Sequence, residues 1–149
     1  MSFKQKIHAR CLQLLNEKIS ALQQIIKDLT ESAANEGKST AGDKHETALA
    51  MLQIEQENTS RQLKTALDQK DILEKIDPAA KTIQVGAGSV IKTNNGYLFL
   101  SVPLGKIKVD DTTVIALSPQ SPLGKNLAGL KPNSITEMNG VRYLIETVF

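Results

Sequence analysis

The sequence predicts an α+β protein: a long antiparallel α-helical hairpin, or coiled coil, followed by a small antiparallel β-sheet domain with one helix. Three observations predict it. Before Pro78 there is no proline and there are only two glycines, Gly37 and Gly42, whereas the rest holds all five prolines and the other seven glycines. Pro and Gly are kept out of long helices and gathered at turns. Apolar residues recur at helical spacing before Pro78 and alternate like strands after it. The division therefore falls at residues 1–77 and 78–149.

The first helix is expected over residues 3–34. Leu15, Ile19, Leu22, Ile26, Leu29 and Ala33 follow a 4-3-4-3 spacing, the seam of a coiled coil. Phe3, Ile7 and either Cys11 or Leu12 extend it toward the N-terminus. The segment ANEGKSTAGDK then breaks the pattern, with Gly37 as a left-handed helix stop. Ser39, Thr40 and Asp43 are good N-caps, and Asp43 with Glu46 has capping-box spacing. The second helix is expected from about Asp43 to Ile76, with a seam of Leu49, Leu52, Gln56, Thr59, Leu63, Ala66, Lys70 and Leu73. Helices of nearly equal length on a short connection fold back antiparallel, and the reversal is expected between Asn35 and Asp43. At ~1.5 Å per residue each arm spans about 50 Å, so its tip is expected far from the rest of the chain. Self-association through the seam, a homo-oligomer with a four-helix bundle, is left open.

After Pro78 the runs TIQV, SVIKT, YLFLSV, TTVIAL, SITEM and VRYLIETV read as strands. Asn94-Asn95-Gly96 and Asn139-Gly140 signal hairpins. One short helix interrupts the strands, with Ser121 as N-cap, Pro122 in its first position and Gly129 as its stop.

Composition narrows the function classes. A single cysteine, Cys11, excludes an internal disulfide and fits a reducing setting. The segment MSFKQKIHAR has no apolar core or small-residue cleavage site, and no apolar run approaches the ~20 residues of a membrane span. A cytoplasmic protein without membrane contact is the expectation. The net charge of +2 is too small for a protein that lives on nucleic-acid phosphates. Charge is uneven: residues 1–77 carry 11 basic and 12 acidic side chains, residues 78–149 carry 7 and 4, so attraction to an acidic surface belongs to the second part. No nucleophile–base pair, phosphate loop or metal cluster is evident, so neither an enzyme nor a resident cofactor is expected.

The string VIALSPQSPLGKNLAGLKPNS resembles the C-terminal domain of the bacterial Gre transcript-cleavage factors, with Ser121, Pro122, Leu127, Gly129 and Ser134 in register. Val85-Gly86-Ala87-Gly88-Ser89-Val90 is similar to the family's opening strand. The resemblance implies an FKBP-like domain behind a helical hairpin. It also implies a partner, RNA polymerase, with nucleic acid met only through that enzyme. In the family, the domain docks at the rim of the polymerase secondary channel and the hairpin carries acidic residues to the catalytic magnesium. The expected docking residues are Ser121, Pro122, Lys125, Gly129 and Lys131; the expected tip residues are Glu36, Lys38, Asp43 and Glu46. At the tip this chain departs from the family. Alignment on Gly37 puts Lys38 and Ala41 where the family has its carboxylate pair, and neither ligates Mg²⁺. Asp43 and Glu46 are then read either as helix caps or as magnesium contacts within a polymerase complex. The expected function is modulation of elongation, with cleavage stimulation in doubt. The alternative is a structural or chaperone-like module whose hairpin serves self-association or client binding.

The remaining residues carry quieter expectations. His45 reads as solvated surface, His8 as an ordinary helix residue and Cys11 as a buried small hydrophobe. Tyr97 and Phe99 share a strand face, for core packing or for base stacking. An FKBP-like shape also suggests prolyl isomerisation, against which the scarcity of aromatics argues.

Overall fold

A computed structural model describes residues 1–36 and 42–149, with side chains for all of these except 42–44. The expected reversal between Asn35 and Asp43 lies largely outside the described residues. The element order is α1 (Phe3–Glu36), α2 (Gly42–Glu74), β1 (Val90–Thr93), β2 (Gly96–Leu100), β3 (Gly105–Val109), β4 (Thr112–Leu117), α3 (Pro122–Leu127), β5 (Ile135–Met138) and β6 (Val141–Val148). The fold is thus α+β: two long helices, then a six-stranded mixed sheet and a short helix. The chain forms two compact units, one of residues 1–13 with 71–149 and the other of residues 14–70.

The 14–70 unit is the hairpin. Leu15, Ile19, Leu22 and Leu29 are buried along α1, and Thr59 and Ala66 along α2, as their seam spacing dictates. The antiparallel course shows in two pairs. Gln56 Nε2 donates to Thr30 Oγ1 at 3.4 Å, and His45 Nδ1 lies 3.5 Å from Glu36 Oε1. Gln56 is one of the polar seam residues of α2, and it meets a hydroxyl rather than an apolar side chain. Thr59, another, turns its hydroxyl back to the Glu55 carbonyl at 2.8 Å. Each polar group that the seam buries in this way needs such a partner.

The other unit is built on the sheet, in the order β3-β4-β2-β1-β6-β5. The expectation of an antiparallel sheet needs one correction: β2 and β4 pair in parallel, from Tyr97↔Val114 to Leu100↔Leu117. The cause is β3, which the sequence reading missed. β3 and β4 form a hairpin through Asp110 and Asp111, both at positive φ. With β3 on the outside, β4 returns along β2 in the same direction. TIQV is also corrected. It forms no strand, and of its four residues only Val85 bonds through the backbone, from Val85 N–H to Leu130 O and from Gly129 N–H to Val85 O, both 2.8 Å. A turn from Gly86 to Ser89 then redirects the chain.

Register assigns the two faces. Ile91, Leu98, Ile115 and, one pair along, Leu100 and Leu117 share one face, packed with Val85, Leu127 of α3 and Ile145 of β6. The opposite face carries Val90, Phe99 and Ala116, with Tyr97, Val114 and Ile107 beside them. Over it lies the start of α1. Phe3 meets Tyr97 edge-on at 5.0 Å between ring centroids, and Lys6 pairs with Asp110 at 2.7 Å. Lys4 is 7% exposed, and its Nζ donates to Ala80 O at 2.7 Å and Phe149 O at 3.1 Å. Burial pulls the Lys4 pKa down, while the nearby Asp77 carboxylate opposes the shift. Tyr97 and Phe99 therefore serve packing: Phe99 is fully buried and Tyr97 is half-buried against Phe3.

His8 is more than an ordinary helix residue. Its Nε2 lies 2.6 Å from Leu73 O, near the end of α2. One turn along α1, Cys11 rather than Leu12 is fully buried, and burial pushes its thiol up to about 12, partly offset by Arg10. At about pH 8 the thiolate is then roughly one part in ten thousand of the folded protein. Folded Cys11 is therefore expected to react with a disulfide reagent at least a hundredfold more slowly than the denatured chain, on the order of what thiolate depletion and burial produce together. The rate should rise with pH across the alkaline range as thiolate forms. Labelling at the denatured-chain rate in native buffer would contradict this.

Candidate docking surface

The segment from β4 to β5 folds on itself through short-range hydrogen bonds. Ser118 Oγ donates to Gln120 Oε1 at 2.7 Å and accepts from Gln120 N–H at 3.1 Å. Ser121 is the N-cap of α3: its Oγ accepts from Gly124 N–H at 3.1 Å and donates to Ser118 O at 2.6 Å. Pro122 follows at a position where no N–H is needed. Gly129, at φ +82°, stops the helix as expected. Its N–H and C=O then bond to Val85 O and to Gln84 Nε2, the latter at 2.9 Å. Lys131 opens a turn closed by Ser134 N–H to Lys131 O at 3.1 Å, with Asn133 at φ 75°.

Leu127 is buried and anchors α3 to the sheet, while Pro122, Lys125, Gly129 and Lys131 are exposed and Ser121 is half-buried. These five expected residues thus lie on one short, internally braced stretch. Lys125 sits in the last turn of α3, where a cation suits the helix dipole. Sequence reasoning missed Gly124. A Cβ there would stand 2.2 Å from Ser118 O, so the cap turn closes only over glycine. The available signal was a glycine inside a helix, where glycine is otherwise disfavoured.

Where α1 ends and α2 begins, Glu36 closes α1 and Glu46 is exposed in α2. Lys38 and the side chain of Asp43 lie outside the described residues, so their expected roles are untouched by the geometry. His45 departs from the solvated reading. It is 21% exposed and lies at ion-pair distance from Glu36, with its Nδ1 buried and without a hydrogen bond. No group of three or more His, Cys, Asp or Glu converges as a metal site among the described residues. No helix among them is long and apolar enough to cross a membrane.

Two clefts open in the sheet unit. One, of about 230 Å³, is lined by Phe3, Pro78, Val90 and Phe149 among others. The second, of about 480 Å³, is lined by Ile72, Ile76, Pro119 and Gln120, with Ser101, whose buried hydroxyl has no hydrogen-bond partner. None of the five expected docking residues lines either cleft.

No protein-family model matches the chain, and no curated protein matches it. Among solved structures it is similar to the GreA factor homolog 1 (Gfh1) protein of Thermus thermophilus, with 17% identity over 95% of this chain and 94% of that one, at a TM-score of 0.35. A second structure, titled as the transcription factor Gfh1, shows 18% identity over 94% and 93% of the two chains, at a TM-score of 0.32. Similarity at this level assigns no family to the chain.

The cap turn yields a test with an unusual sign. In an ordinary helix Gly→Ala stabilises by ~1 kcal/mol. Here Gly124→Ala is expected to destabilise by about 3 kcal/mol, because the new methyl must displace a backbone carbonyl. Urea denaturation measures it, and a neutral or stabilising result would show that the turn opens freely.

Proposed function

We propose that this chain is a transcription factor that binds RNA polymerase, inserts its helical hairpin into the secondary channel and modulates elongation. One observation carries the reading. The two segments that resemble the Gre domain, 85–90 and 114–134, are far apart in sequence yet joined in space by the paired bonds of Val85 with Gly129 and Leu130. A fortuitous likeness would have no reason to bring both into one hydrogen-bonded patch. The exposed Lys125 and Lys131 on that patch suit an acidic partner surface and the encounter with it.

In this reading the sheet unit supplies affinity and the hairpin supplies reach. The chain carries out no catalytic step of its own and holds no resident cofactor; magnesium belongs to the polymerase active site. Lys38 and Ala41 stand where the resembled family has carboxylates, so the tip occupies the channel without holding metal. In this reading Asp43 and Glu46, early in α2, serve the helix terminus and its dipole and hold no metal. The protein is cytoplasmic, where its partner works. A second reading, an interaction module for client chains, draws on Met51 and Ile54, which are exposed on α2 at 62% and 57%.

The deciding experiment uses core polymerase in two assays. Lys125→Glu with Lys131→Glu should weaken binding about tenfold or more, and most at low salt, where rim charges act most strongly. Asp43→Asn with Glu46→Gln should leave binding unchanged, because Asn caps about as well as Asp. Wild type should stimulate transcript cleavage in stalled complexes weakly or not at all. Absence of any complex with polymerase would favour the client-binding module. Robust cleavage lost in the tip variant would make Asp43 and Glu46 metal-holding residues.

A further inference from the structure

Two asparagines of the sheet unit precede glycine, Asn95-Gly96 and Asn139-Gly140, and both are exposed. An Asn-Gly pair is chemically labile, because glycine leaves its amide nitrogen open to approach the preceding side-chain carboxamide. Neither glycine is hindered: a Cβ at either position would meet nothing within 4 Å. Sterics therefore do not separate the two sites. Hydrogen bonding does.

Asn95 is held. Its Nδ2 donates to Arg142 O at 2.7 Å, and its N–H donates to Thr93 Oγ1 at 3.1 Å. Gly96 is a ladder residue of β2, opposite Thr93, and Thr93 Oγ1 donates to Gly96 O at 2.8 Å. The neighbouring Asn94 reinforces the same clamp, its Oδ1 accepting from Leu144 N–H at 2.7 Å. Rotation of the Asn95 carboxamide toward the Gly96 nitrogen would break its bond to Arg142 O, while the bonds of Thr93 hold the turn backbone that would have to follow. The Asn139 carboxamide, by contrast, has no hydrogen-bond partner among the described residues. Asn139 and Gly140, at φ 52° and 79°, are the two turn residues beyond the last ladder pair, Met138↔Val141.

We propose that Asn139 is a site of spontaneous covalent modification, deamidating through a cyclic imide formed with Gly140, while the fold protects Asn95. In the first step the Gly140 amide nitrogen loses its proton to solvent base and bonds to Asn139 Cγ. The Cγ–Nδ2 bond breaks, the nitrogen takes up a proton, and ammonia leaves. Water then opens the imide at either carbonyl, giving aspartate or isoaspartate. No oxidant or reductant is involved. Isoaspartate inserts a methylene into the main chain of a turn that needs positive φ at both central residues, and it adds a negative charge. The element it loosens is β5, an edge strand paired only with β6.

The test is peptide mapping by mass spectrometry of the folded full-length chain, incubated at mildly alkaline pH, beside the same chain in denaturant. In denaturant the two sites should react at similar rates. In the folded chain Asn139 should deamidate on the order of tenfold faster than Asn95, a factor matching about one retained hydrogen bond. Equal rates at the two sites in the folded chain, or faster reaction at Asn95, would overturn the proposal. So would a folded chain in which Asn139 is protected as strongly as Asn95 relative to denaturant.

Discussion

The buried ammonium of Lys4 is the interaction on which the rest of the sheet unit depends. It joins three stretches that are distant in sequence: the first turn of α1, the segment after α2 and the end of β6. A cation taken out of water is costly unless its donors are met, and here two backbone carbonyls meet two of the three. The burial also lowers the pKa, so the arrangement is held against a tendency to lose the proton. Phe3 against Tyr97 and Lys6 against Asp110 continue the same junction on either side. Together they cover a sheet face that carries Val90, Phe99 and Val114, all fully buried. Without α1 that face would be a large exposed apolar patch.

Much of this was legible in the sequence, and the exceptions have physical causes. The seams of α1 and α2, the strands around Phe99 and Ala116, and the cap and stop of α3 all follow local rules that act within a few residues. β3 was missed because Lys106 and Lys108 alternate with only Ile107 and Val109, so half of an edge strand looks like solvated loop. Those lysines are what an exposed edge ordinarily carries against unwanted pairing. TIQV was misread for the opposite reason: it has strand composition but its backbone finds hydrogen-bonding partners at Val85 only. Lys4 was invisible, since nothing in its neighbours marks a lysine that will be buried by residues 76 and 145 positions away. Gly124 was overlooked because its reason is a carbonyl that approaches only after the Ser118 turn has closed.

The candidate surface combines both kinds of information. Ser121, Pro122 and Gly129 are recognisable from sequence because their roles are local. Their joining to Val85 is a tertiary fact, and it turns two separate motifs into one surface. The asparagine clamp follows the same logic at the other end of the sheet. Asn94 and Asn95 look like turn formers and are so, yet their side chains also hold β6 at Arg142 and Leu144, close to a bulge between β1 and β6. Turn chemistry and sheet closure are thus carried by the same two residues.

The central claim is that the sheet is completed by the start of α1 and does not stand alone. The most direct measurement is the folding of a fragment of residues 78–149, followed by NMR amide dispersion and urea denaturation, with and without a covalently linked segment 1–13. The account predicts a fragment with poor dispersion and no cooperative transition alone, and recovery of both when the segment is restored. A fragment 78–149 that is well dispersed and unfolds cooperatively by itself would contradict it.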